Sequence, residues 1–467
     1  MDAIARLKAA AGEHGFSTDP AEIAPLLEDW RGRRGSSPLL LKPATTEQVS
    51  AMLAICHETG MPVVPIGGNT GLAGGQVAQG EVLLSLRRMN RVLAVDAEGM
   101  TLTCEAGAVL AEVQARAGAA GLLFPLTLAS EGSCTIGGNI ATNAGGSHVL
   151  RYGMTRALVL GLEVVLADGR VLPMLKSLHK DNTGYDLRQL FIGSEGTLGV
   201  VTKAVLRLFP TPVQQVAAFA AVPSPQAALA LLGRMQTASG GLLSAFELVP
   251  RLALELVTRH IPGTRDPLAT PSPWYVLIEL SGGMGADLRE TAQYALAAAI
   301  ENHEAADAVI AASAAQARDL WRLREGISEA QKREGASIKH DISVPVAKVP
   351  TFIAEATAAV LAAFPGARPV TFGHLGDGNL HFNFSAPIGG DRDFLRHWDE
   401  MQLIVHDIVH HYGGSISAEH GVGSTKRDLL PRYKSHEELE AMRALKQAFD
   451  PRGILNPGKI VPKALKL

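Results

Sequence analysis

The sequence contains little cysteine and no large excess of charge of either sign. Its three cysteines, Cys56, Cys104 and Cys134, lie far apart along 467 residues. This spacing argues against a disulfide framework and a cysteine-based zinc site, and it fits a reducing compartment. The formal net charge of −3 provides no basic surface for nucleic acid or an anionic membrane. We therefore expect no nucleic-acid partner.

Long apolar segments are also missing from the sequence. Stretches such as TAQYALAAAI (residues 291–300) are too short and too rich in alanine to span a bilayer. The first residues, MDAIARLKAAAGEHGF, carry acidic side chains and no apolar stretch that leads to a cleavage site, which is not typical of a signal peptide. We predict a soluble, cytoplasmic protein without a membrane span.

The length predicts more than one domain, because 467 residues are too many for a single hydrophobic core. A series of strands, a helix and glycine-rich turns begins near residue 36. It gives way near residue 212 to a strand, a Pro-Ser-Pro break and an Ala/Leu helix. We predict an N-terminal helical segment over residues 1–35, domains over 36–212 and 213–448, and a loop-rich C-terminal segment over 449–467.

Two glycine runs fall within the first of these domains. They are PVVPIGGNTGLAGG (residues 62–75) and EGSCTIGGNIATNAGG (residues 131–146). Glycines let backbone N–H groups approach an anion closely, and short hydroxyl and amide side chains add hydrogen bonds. The first run has neither the G-x-G-x-x-G spacing nor the lysine of a P-loop, which excludes both of those nucleotide sites. Two such runs in one domain indicate a large phosphate-bearing cofactor that lies across loops.

The stretch GHLGDGNLHFNF (residues 373–384) predicts a β-hairpin with histidines on both strands. A four-residue loop at 376–379 would place His374 opposite His381, with Cβ atoms about 5 Å apart, and Asn383 on the same face. Two imidazoles at this distance suit a metal ion, and two histidines on a polar sheet face are the alternative. SAEHGVG adds Glu419 and His420, in a segment that by itself is also consistent with a polar loop.

A basic segment, DLWRLREGISEAQKREG (residues 319–335), predicts one amphipathic helix. Arg324 and Ser328 are four residues apart and therefore on one face of that helix. Lys339 follows on a strand, where it shares a face with Asp341. A solvated basic face is the alternative interpretation. A metallohydrolase whose glycine-rich domain is incidental to its activity is disfavoured, because the sequence has no H-E-x-x-H motif.

Six motifs between residues 36 and 462 together resemble one flavoprotein family. They are PIGGNTGLAGG, TIGGNIATNAGG, KDNTGYDLRQLFIGSEGTLGVVTKAVLRLFP, GHLGDGNLH, SAEHGVG and NPGK. The sequence resembles the vanillyl-alcohol oxidase family, and within it the FAD-dependent D-2-hydroxyacid dehydrogenases that act on D-2-hydroxyglutarate or D-lactate. The resemblance implies an α+β fold with an FAD-binding domain of two α+β subdomains. It also implies a cap domain with an antiparallel sheet flanked by helices, and a C-terminal segment that returns to the flavin.

The resemblance also implies cofactor contacts. By position, the residues expected to bind the pyrophosphate are Pro65, Gly67, Gly68, Asn69, Thr70 and Gly71. Those expected to line the flavin and ribityl chain are Thr135, Gly137, Gly138, Thr142 and Gly145. Val200 and Val201 are expected at the adenine-ribose end, and Asn456 at the flavin ring. Some members of the family attach FAD through a histidine. The first glycine run contains no His or Cys, so we expect non-covalent FAD, with His148 as the nearest alternative anchor.

The remaining implied roles concern the substrate. His374, His381 and Glu419 match the ligands of a divalent metal, for which zinc is our expectation and manganese or cobalt are alternatives. His420 matches the catalytic base, and Asn383 is expected to orient the substrate. Arg324, Ser328 and Lys339 match residues around the distal carboxylate of the substrate, with Ser328 where the glutarate-type enzymes carry Thr.

We therefore expect oxidation of a D-2-hydroxyacid to the 2-oxoacid. D-2-Hydroxyglutarate is the first choice, because the cationic pair Arg324 and Lys339 suits a diacid. D-Lactate or another D-2-hydroxy monoacid is the alternative, and an alkyl transferase similar to alkylglycerone-phosphate synthase is the alternative from another class. An electron-transfer flavoprotein, a quinone or a cytochrome is the expected electron acceptor. A homodimer stays open at this point.

Overall fold

The computed structural model describes residues 2–285, 287–390 and 392–462. This part of the chain divides into two compact units. The first unit contains residues up to 146, residues 153–211 and residues from 419 onward, and the second contains 147–152 and 212–418. The division after residue 211 lies next to the predicted domain boundary. Residues 419–448, which we predicted for the second domain, group with the first unit.

Helices and strands are interspersed along the whole described chain. The strands are β1 (Phe16–Ser17), β2 (Leu40–Leu41), β3 (Val63–Ile66), β4 (Val82–Ser85), β5 (Val92–Asp96), β6 (Thr101–Glu105), β7 (Leu122–Leu123), β8 (Val159–Val165), β9 (Val171–Met174), β10 (Val200–Arg207), β11 (Phe209–Pro210), β12 (Gln214–Val222), β13 (Leu243–Pro250), β14 (Trp274–Gly282), β15 (Asp307–Ile310), β16 (Ser337–Ile338), β17 (Asp341–Ser343), β18 (Arg368–His374) and β19 (Asn379–Ser385). The helices are α1 (Ala3–Ala11), α2 (Pro20–Leu27), α3 (Thr46–Thr59), α4 (Leu110–Ala119), α5 (Ile136–Thr142), α6 (Val149–Tyr152), α7 (Thr155–Leu158), α8 (Arg188–Phe191), α9 (Pro225–Ser239), α10 (Arg251–His260), α11 (Leu288–Glu301), α12 (Ala314–Glu325), α13 (Ile327–Glu334), α14 (Val349–Ala363), α15 (Trp398–His411), α16 (Leu430–Tyr433) and α17 (His436–Phe449). Short 3₁₀ turns cover Val346–Lys348, Arg392–His397 and Arg427–Leu429.

The first unit contains two main sheets, as expected for an α+β cofactor domain. One has four strands in the order β1-β2-β4-β3, in which β2 and β3 each pair with β4 in parallel. The other has five strands in the order β5-β6-β10-β8-β9, and its pairs are antiparallel. The small β7–β11 pair lies outside both. The mixed sheets and helices confirm the predicted α+β fold class.

Helix α3 shows why the sequence folds locally as it does. Thr45 caps its first turn by accepting a hydrogen bond from the Gln48 N–H, and Gly60 ends it in the left-handed region at φ 70°. The buried residues recur at spacings of three and four, which is the pattern of a helix with one apolar face. They are Thr46, Val49, Met52, Leu53 and Cys56.

The second unit is built on one antiparallel sheet of eight strands. Their order is β15-β12-β14-β13-β18-β19-β16, and β17 also pairs with β19. Helices α10, α12 and α13 contribute to a core that includes Phe219, Tyr275 and Phe372. The ring of Phe352 on α14 lies 5.2 Å from that of Phe382 on β19. An antiparallel sheet flanked by helices is the predicted architecture of the cap domain.

The basic segment at 319–335 forms two helices, which corrects the prediction of one. Helix α12 ends at Glu325 and α13 begins at Ile327. Gly326 stands between them, and glycine is a poor helix former. Arg324 is buried and Ser328 is exposed. The two side chains therefore differ in environment, although their four-residue spacing predicted a common face.

Residues Val346–Ala363 are long and apolar enough, by length and composition only, to cross a membrane. This corrects the expectation that no stretch of the chain meets that criterion. The buried residues of α14 recur at helical spacing, and they are Val349, Phe352, Ile353, Ala356 and Val360. One such helix is weak evidence for a membrane span, because a helix with one apolar face against a sheet is typical of a protein core.

Candidate active site

Strands β18 and β19 form the predicted hairpin, but their register differs by two residues from the predicted one. His374 lies opposite Asn379, and His381 lies opposite Phe372. The loop therefore comprises residues 375–378 and not 376–379. Because a shift of two residues leaves every side chain on its original face, the two histidines still share one face, as diagonal neighbours and not as an opposed pair.

The contacts of the turn explain this register. Gly378 has φ 82°, and a Cβ there would lie 2.1 Å from the Val344 carbonyl oxygen, so the turn suits glycine at this position. The Asp377 carboxylate accepts a hydrogen bond from the Asn379 N–H at 3.0 Å. Asn379 itself belongs to β19, since its side chain donates to Asp341 and to the Ile342 carbonyl.

The two imidazoles lie close enough to be considered as one donor set. Their ring centroids are 5.9 Å apart with an interplanar angle of 70°. Ligand nitrogens of His374 and His381 approach to within 4.8 Å. Imidazole nitrogen is a preferred ligand of zinc and of other first-row metals. These two residues therefore fit their predicted role as ligands of a divalent metal.

Glu247 on β13 is directly opposite His374 across the neighbouring strand pair. Its Oε1 is 2.6 Å from His374 Nδ1, and its Oε2 accepts from Arg324 Nε at 2.6 Å. Burial by itself would raise the pKa of Glu247, but the charges and hydrogen bonds of His374 and Arg324 lower it to about 2. The sequence analysis missed this residue.

Arg324 is fixed beside the histidine pair by two contacts. Its guanidinium lies over the ring of Phe372, 4.8 Å from the ring centroid, and its Nε donates to Glu247. Among the described residues, Nη1 and Nη2 of Arg324 have no hydrogen-bond partner. The planar guanidinium is therefore fixed through its Nε–H, and its Nη–H donors are available for a ligand.

The predicted substrate residues Lys339 and Asn383 lie on the face that carries His381. Ile338 pairs with Phe384 and Asp341 pairs with His381. Both pairs belong to the same antiparallel register, and this register places Lys339 opposite Asn383. The buried Asn383 amide accepts from the His340 N–H at 3.1 Å and donates to Gln331 Oε1 at 2.9 Å. Its orientation is thus set by protein contacts, whereas its predicted role toward the substrate stays a prediction.

The segment that leads to Glu419 and His420 is anchored beside β17. Ser343 and Ser415 form a backbone bridge, and the Ala418 N–H donates to the Asp341 carbonyl at 3.4 Å. Ala418 is the last residue of the second unit, and Glu419 is bonded directly to it. Consecutive Cα atoms are about 3.8 Å apart. Glu419 therefore directly follows a residue that is hydrogen-bonded to β17.

A second buried carboxylate, Glu195, holds the residues that follow His420. It accepts from the N–H groups of Val422 and Gly423 at 2.7 and 2.8 Å. Its backbone is in the left-handed region at φ 49°, which is uncommon for a non-glycine residue. Burial raises the pKa of Glu195. The sequence analysis missed its role, although it lies in the quoted motif IGSEGTLG.

The two glycine runs lie against each other within the first unit. A Cβ on Gly67 would lie 2.3 Å from Thr135 Oγ1, and one on Gly68 would lie 2.2 Å from the Ser133 carbonyl oxygen. Asn69 adopts φ 59°, and its Nδ2 donates to two carbonyls of the α2 region. Pro65 lies in β3, which leads into this turn, and Thr70 and Gly71 continue it.

The second glycine run is partly helical, which corrects its description as a loop. Residues Ile136–Thr142 form α5, and Thr135 precedes its first turn. Gly137 permits a close approach, since a Cβ there would lie 2.8 Å from Ala106 Cβ. Thr142 Oγ1 donates to the Gly138 carbonyl at 3.0 Å. Gly145 follows the helix, after Asn143 ends it at φ 49°.

The other predicted cofactor residues border these runs. Asn456 donates from Nδ2 to the carbonyls of Gly75 and Glu195, at 2.9 and 2.7 Å. Val200 and Val201 begin β10 and are buried. The adjacent strand end is connected to α5, because the Ala106 N–H donates to the Thr202 carbonyl and the Gly137 N–H donates to the Ala106 carbonyl.

Unpartnered polar atoms in this region test whether the residues fit a dinucleotide. Within the described parts of the chain, three buried side-chain atoms of this region have no hydrogen-bond partner, namely Asn69 Oδ1, Asn139 Nδ2 and Asn456 Oδ1. Buried polar groups are normally paired, so such atoms point to a ligand. A cavity of about 350 Å³ borders the second glycine run, lined by Arg87, Asn90, Gly107, Val109, Ser133 and Thr135. These features fit a large polar cofactor such as FAD.

Arg87 is a further residue that the sequence analysis missed. Its Nε donates to the Gly67 carbonyl at 3.1 Å, and its Nη2 donates to the Gly68 carbonyl at 3.3 Å. A guanidinium beside the turn predicted for the pyrophosphate supplies positive charge for an anion. Its signal in the sequence is the pair Arg87-Arg88 shortly after β4, outside the glycine run.

Gly68→Ala is expected to weaken FAD binding by about 1–3 kcal/mol, roughly 5- to 150-fold. The added methyl group meets the Ser133 backbone, so one of the two glycine runs must move. Fluorescence titration of the deflavinated protein with FAD measures the effect. Gly132→Ala is the matched control, because a Cβ at Gly132 has nothing within 4 Å. Equal affinities in both variants would contradict this packing argument.

Two family models match the chain. Residues 37–174 match the FAD binding domain, and residues 211–460 match the C-terminal domain of FAD linked oxidases. The chain belongs to the FAD-linked oxidase family. An FAD binding domain followed by the C-terminal domain of FAD linked oxidases confirms the expected FAD cofactor and oxidoreductase class, and it disfavours a metallohydrolase.

Curated relatives within the family cover nearly the whole chain. D-2-Hydroxyglutarate dehydrogenase from Xanthomonas citri is 41% identical over 460 residues, which are 98% of this chain and 96% of that protein. The Stutzerimonas stutzeri enzyme of the same name is 42% identical over 451 residues, with 95% of each chain covered. The mitochondrial enzyme of Bos taurus is 42% identical over 455 residues, with 95% of this chain and 81% of the relative covered.

Solved structures of more distant members share the fold. p-Cresol methylhydroxylase with substrate bound has a TM-score of 0.76 at 17% identity, covering 99% of this chain and 96% of that chain. Alkyldihydroxyacetonephosphate synthase has a TM-score of 0.74 at 18% identity, covering 97% and 85%. Likeness at this level of identity concerns the fold only. It therefore does not favour the alkyl-transferase alternative.

Proposed function

We propose that this flavoprotein oxidises D-2-hydroxyglutarate to 2-oxoglutarate. The relatives carry that substrate in their names. The structural observation that supports the proposal most directly is Arg324, which is held by Glu247 next to the His374 imidazole. The arrangement offers a guanidinium for one carboxylate of the substrate and a histidine pair for the hydroxyacid end.

We propose that His374, His381 and Glu419 bind a divalent metal, with zinc as the first choice and manganese or cobalt as alternatives. The two histidines fit this role by their distance. Glu419 is proposed because its neighbour Ala418 is hydrogen-bonded to the strand beside His381. A bound metal would supply Lewis-acid charge that lowers the pKa of the substrate hydroxyl.

The protein groups would then perform the proton transfer and the orientation. His420 takes the hydroxyl proton, a task for which histidine is the side chain most often used in general acid–base catalysis. Arg324, Ser328 and Lys339 hold the distal carboxylate, and Asn383 orients the substrate from its fixed amide position. Bound FAD supplies the acceptor for the C2 hydride, which is chemistry of the cofactor and not of the chain.

The mode of FAD binding and the electron acceptor are also part of the proposal. We propose non-covalent FAD, because the first glycine run contains no His or Cys. The alternative anchor His148 lies with its Nε2 3.1 Å from Glu279 Oε1. An electron-transfer flavoprotein, a quinone or a cytochrome is proposed to reoxidise the flavin, and a homodimer is compatible with the proposal.

The substrate assignment is tested by Arg324→Ala with two substrates and an artificial dye acceptor. We expect kcat/KM for D-2-hydroxyglutarate to fall by about 10- to 100-fold, because a hydrogen bond to a charged group is worth about 1.5–3 kcal/mol. For D-lactate, which has no distal carboxylate, we expect a change below about threefold. Arg322→Ala on the exposed side of α12 is the control. An equal loss on both substrates would contradict the diacid assignment.

A further inference from the structure

The carboxylate of Glu247 is shared between two groups to which the proposed function gives different tasks. It is fully buried, with a relative exposure of 0%. Each of its oxygens has one partner, since Oε1 lies 2.6 Å from His374 Nδ1 and Oε2 lies 2.6 Å from Arg324 Nε. The partners are 127 and 77 residues away along the chain. A single side chain thus connects the histidine pair with the arginine.

The contact with Oε1 determines which nitrogen of His374 carries the proton. An ionised carboxylate only accepts hydrogen bonds, so Nδ1 must be the donor in this contact. In the neutral imidazole the lone pair is then on Nε2, which is the nitrogen that can bind a metal. The contact with Oε2 fixes Arg324 through Nε and leaves its Nη atoms for an anion.

We propose that Glu247 is a positioning residue that sets the tautomer of His374 and fixes the separation between this histidine and Arg324. It thereby matches the site to a substrate with carboxylates at both ends. This inference rests on the proposed roles of His374 and Arg324, and it adds a residue to which no catalytic or binding role has been given above.

Glutamine in place of Glu247 has the right shape but cannot serve both partners. If its carbonyl oxygen accepts from Arg324, its NH₂ group faces Nδ1 and favours the tautomer with the proton on Nε2. If the carbonyl oxygen faces His374, the NH₂ group meets the Nε–H of Arg324 and two donors oppose each other. Glu247→Gln therefore disturbs one of the two tasks in either orientation.

The experiment measures zinc affinity of the FAD-loaded protein by competition with a chromophoric chelator, independently of turnover. We expect Glu247→Gln to weaken zinc binding by about 10- to 100-fold, the range for partners of metal-bound histidines. We also expect the preference in kcat/KM for D-2-hydroxyglutarate over D-lactate to fall. The control is Glu279→Gln, a buried carboxylate on the adjacent β14 that contacts His148, Ser244 and Trp321. Its zinc affinity is expected to stay within about twofold of wild type.

The outcomes separate this inference from the proposed function. A wild type that binds zinc, with both the zinc affinity and the preference for D-2-hydroxyglutarate over D-lactate unchanged in Glu247→Gln, overturns the positioning role alone. A wild type that binds no zinc contradicts the metal site itself and overturns both. If Glu247→Gln does not fold, ¹⁵N-histidine spectra of the wild type decide the question, with His374→Gln to assign the signal. A proton on Nδ1 of His374 supports the inference, and a proton on Nε2 overturns it.

Discussion

Replacing His420 by alanine is expected to lower kcat by about 10²- to 10⁴-fold, the usual contribution of a general base. The proposed reaction removes the hydroxyl proton while hydride leaves C2, and His420 is the imidazole proposed to take that proton. FAD content is expected to stay unchanged, because the glycine runs, Asn456 and Arg87 are intact. Steady-state turnover with a dye acceptor, together with the flavin absorbance of the purified protein, checks both expectations.

The pH dependence gives the His420 variant a second readout. Without the imidazole, hydroxide from the solvent has to take the proton, so the residual rate should increase with pH where the wild-type rate is level. His411→Ala is the matched control, because His411 is an exposed histidine at the end of α15 with no proposed role. Wild-type turnover in His420→Ala would exclude this residue as the base.

Two buried carboxylates near the predicted site residues are not singled out by sequence patterns. Glu195 binds the backbone of Val422 and Gly423 from 227 and 228 residues away. Glu247 lies within the apolar strand β13 and has partners 77 and 127 residues away. Isolated carboxylates carry no periodicity or spacing signal, so their role follows only from tertiary pairing. This is why both were missed.

The histidine hairpin shows which part of the site could be predicted. Alternation of side chains predicts that His374 and His381 share a face for any register that differs by an even number of residues. The register itself depends on which four residues form the turn, and residues 375–378 and 376–379 have similar composition. Contacts from β17 to Asn379 favour the first choice, and β17 lies outside the hairpin.

Local signals were sufficient where a segment folds by its own sequence. The ends of helix α3 follow from local residues, because a threonine cap and a left-handed glycine define them. They were insufficient at Gly326, where helical periodicity continues across a residue at which the helix is interrupted. The second glycine run was likewise predicted as a loop, although its approach to Ala106 stabilises a short helix.

Removal of divalent metal is expected to abolish turnover, with a loss of at least about 100-fold, because Lewis-acid stabilisation contributes several kcal/mol. Dialysis against a chelator should leave flavin absorbance unchanged, since the predicted FAD contacts lie in the first unit and the histidine pair lies in the second. Added zinc, manganese or cobalt should restore the rate, and the ion that does so at the lowest concentration identifies the preferred metal.

The cysteines are not expected to complicate this titration. Burial raises the pKa of Cys56 and of Cys104 to about 12, so these thiols are protonated at neutral pH and poor ligands for the added ion. His381→Ala provides the genetic counterpart, with lost turnover that added zinc restores only at much higher concentration. Turnover that survives chelation, with no metal left in the protein, would show that the hydroxyacid is activated without the His374–His381 pair acting as a metal site.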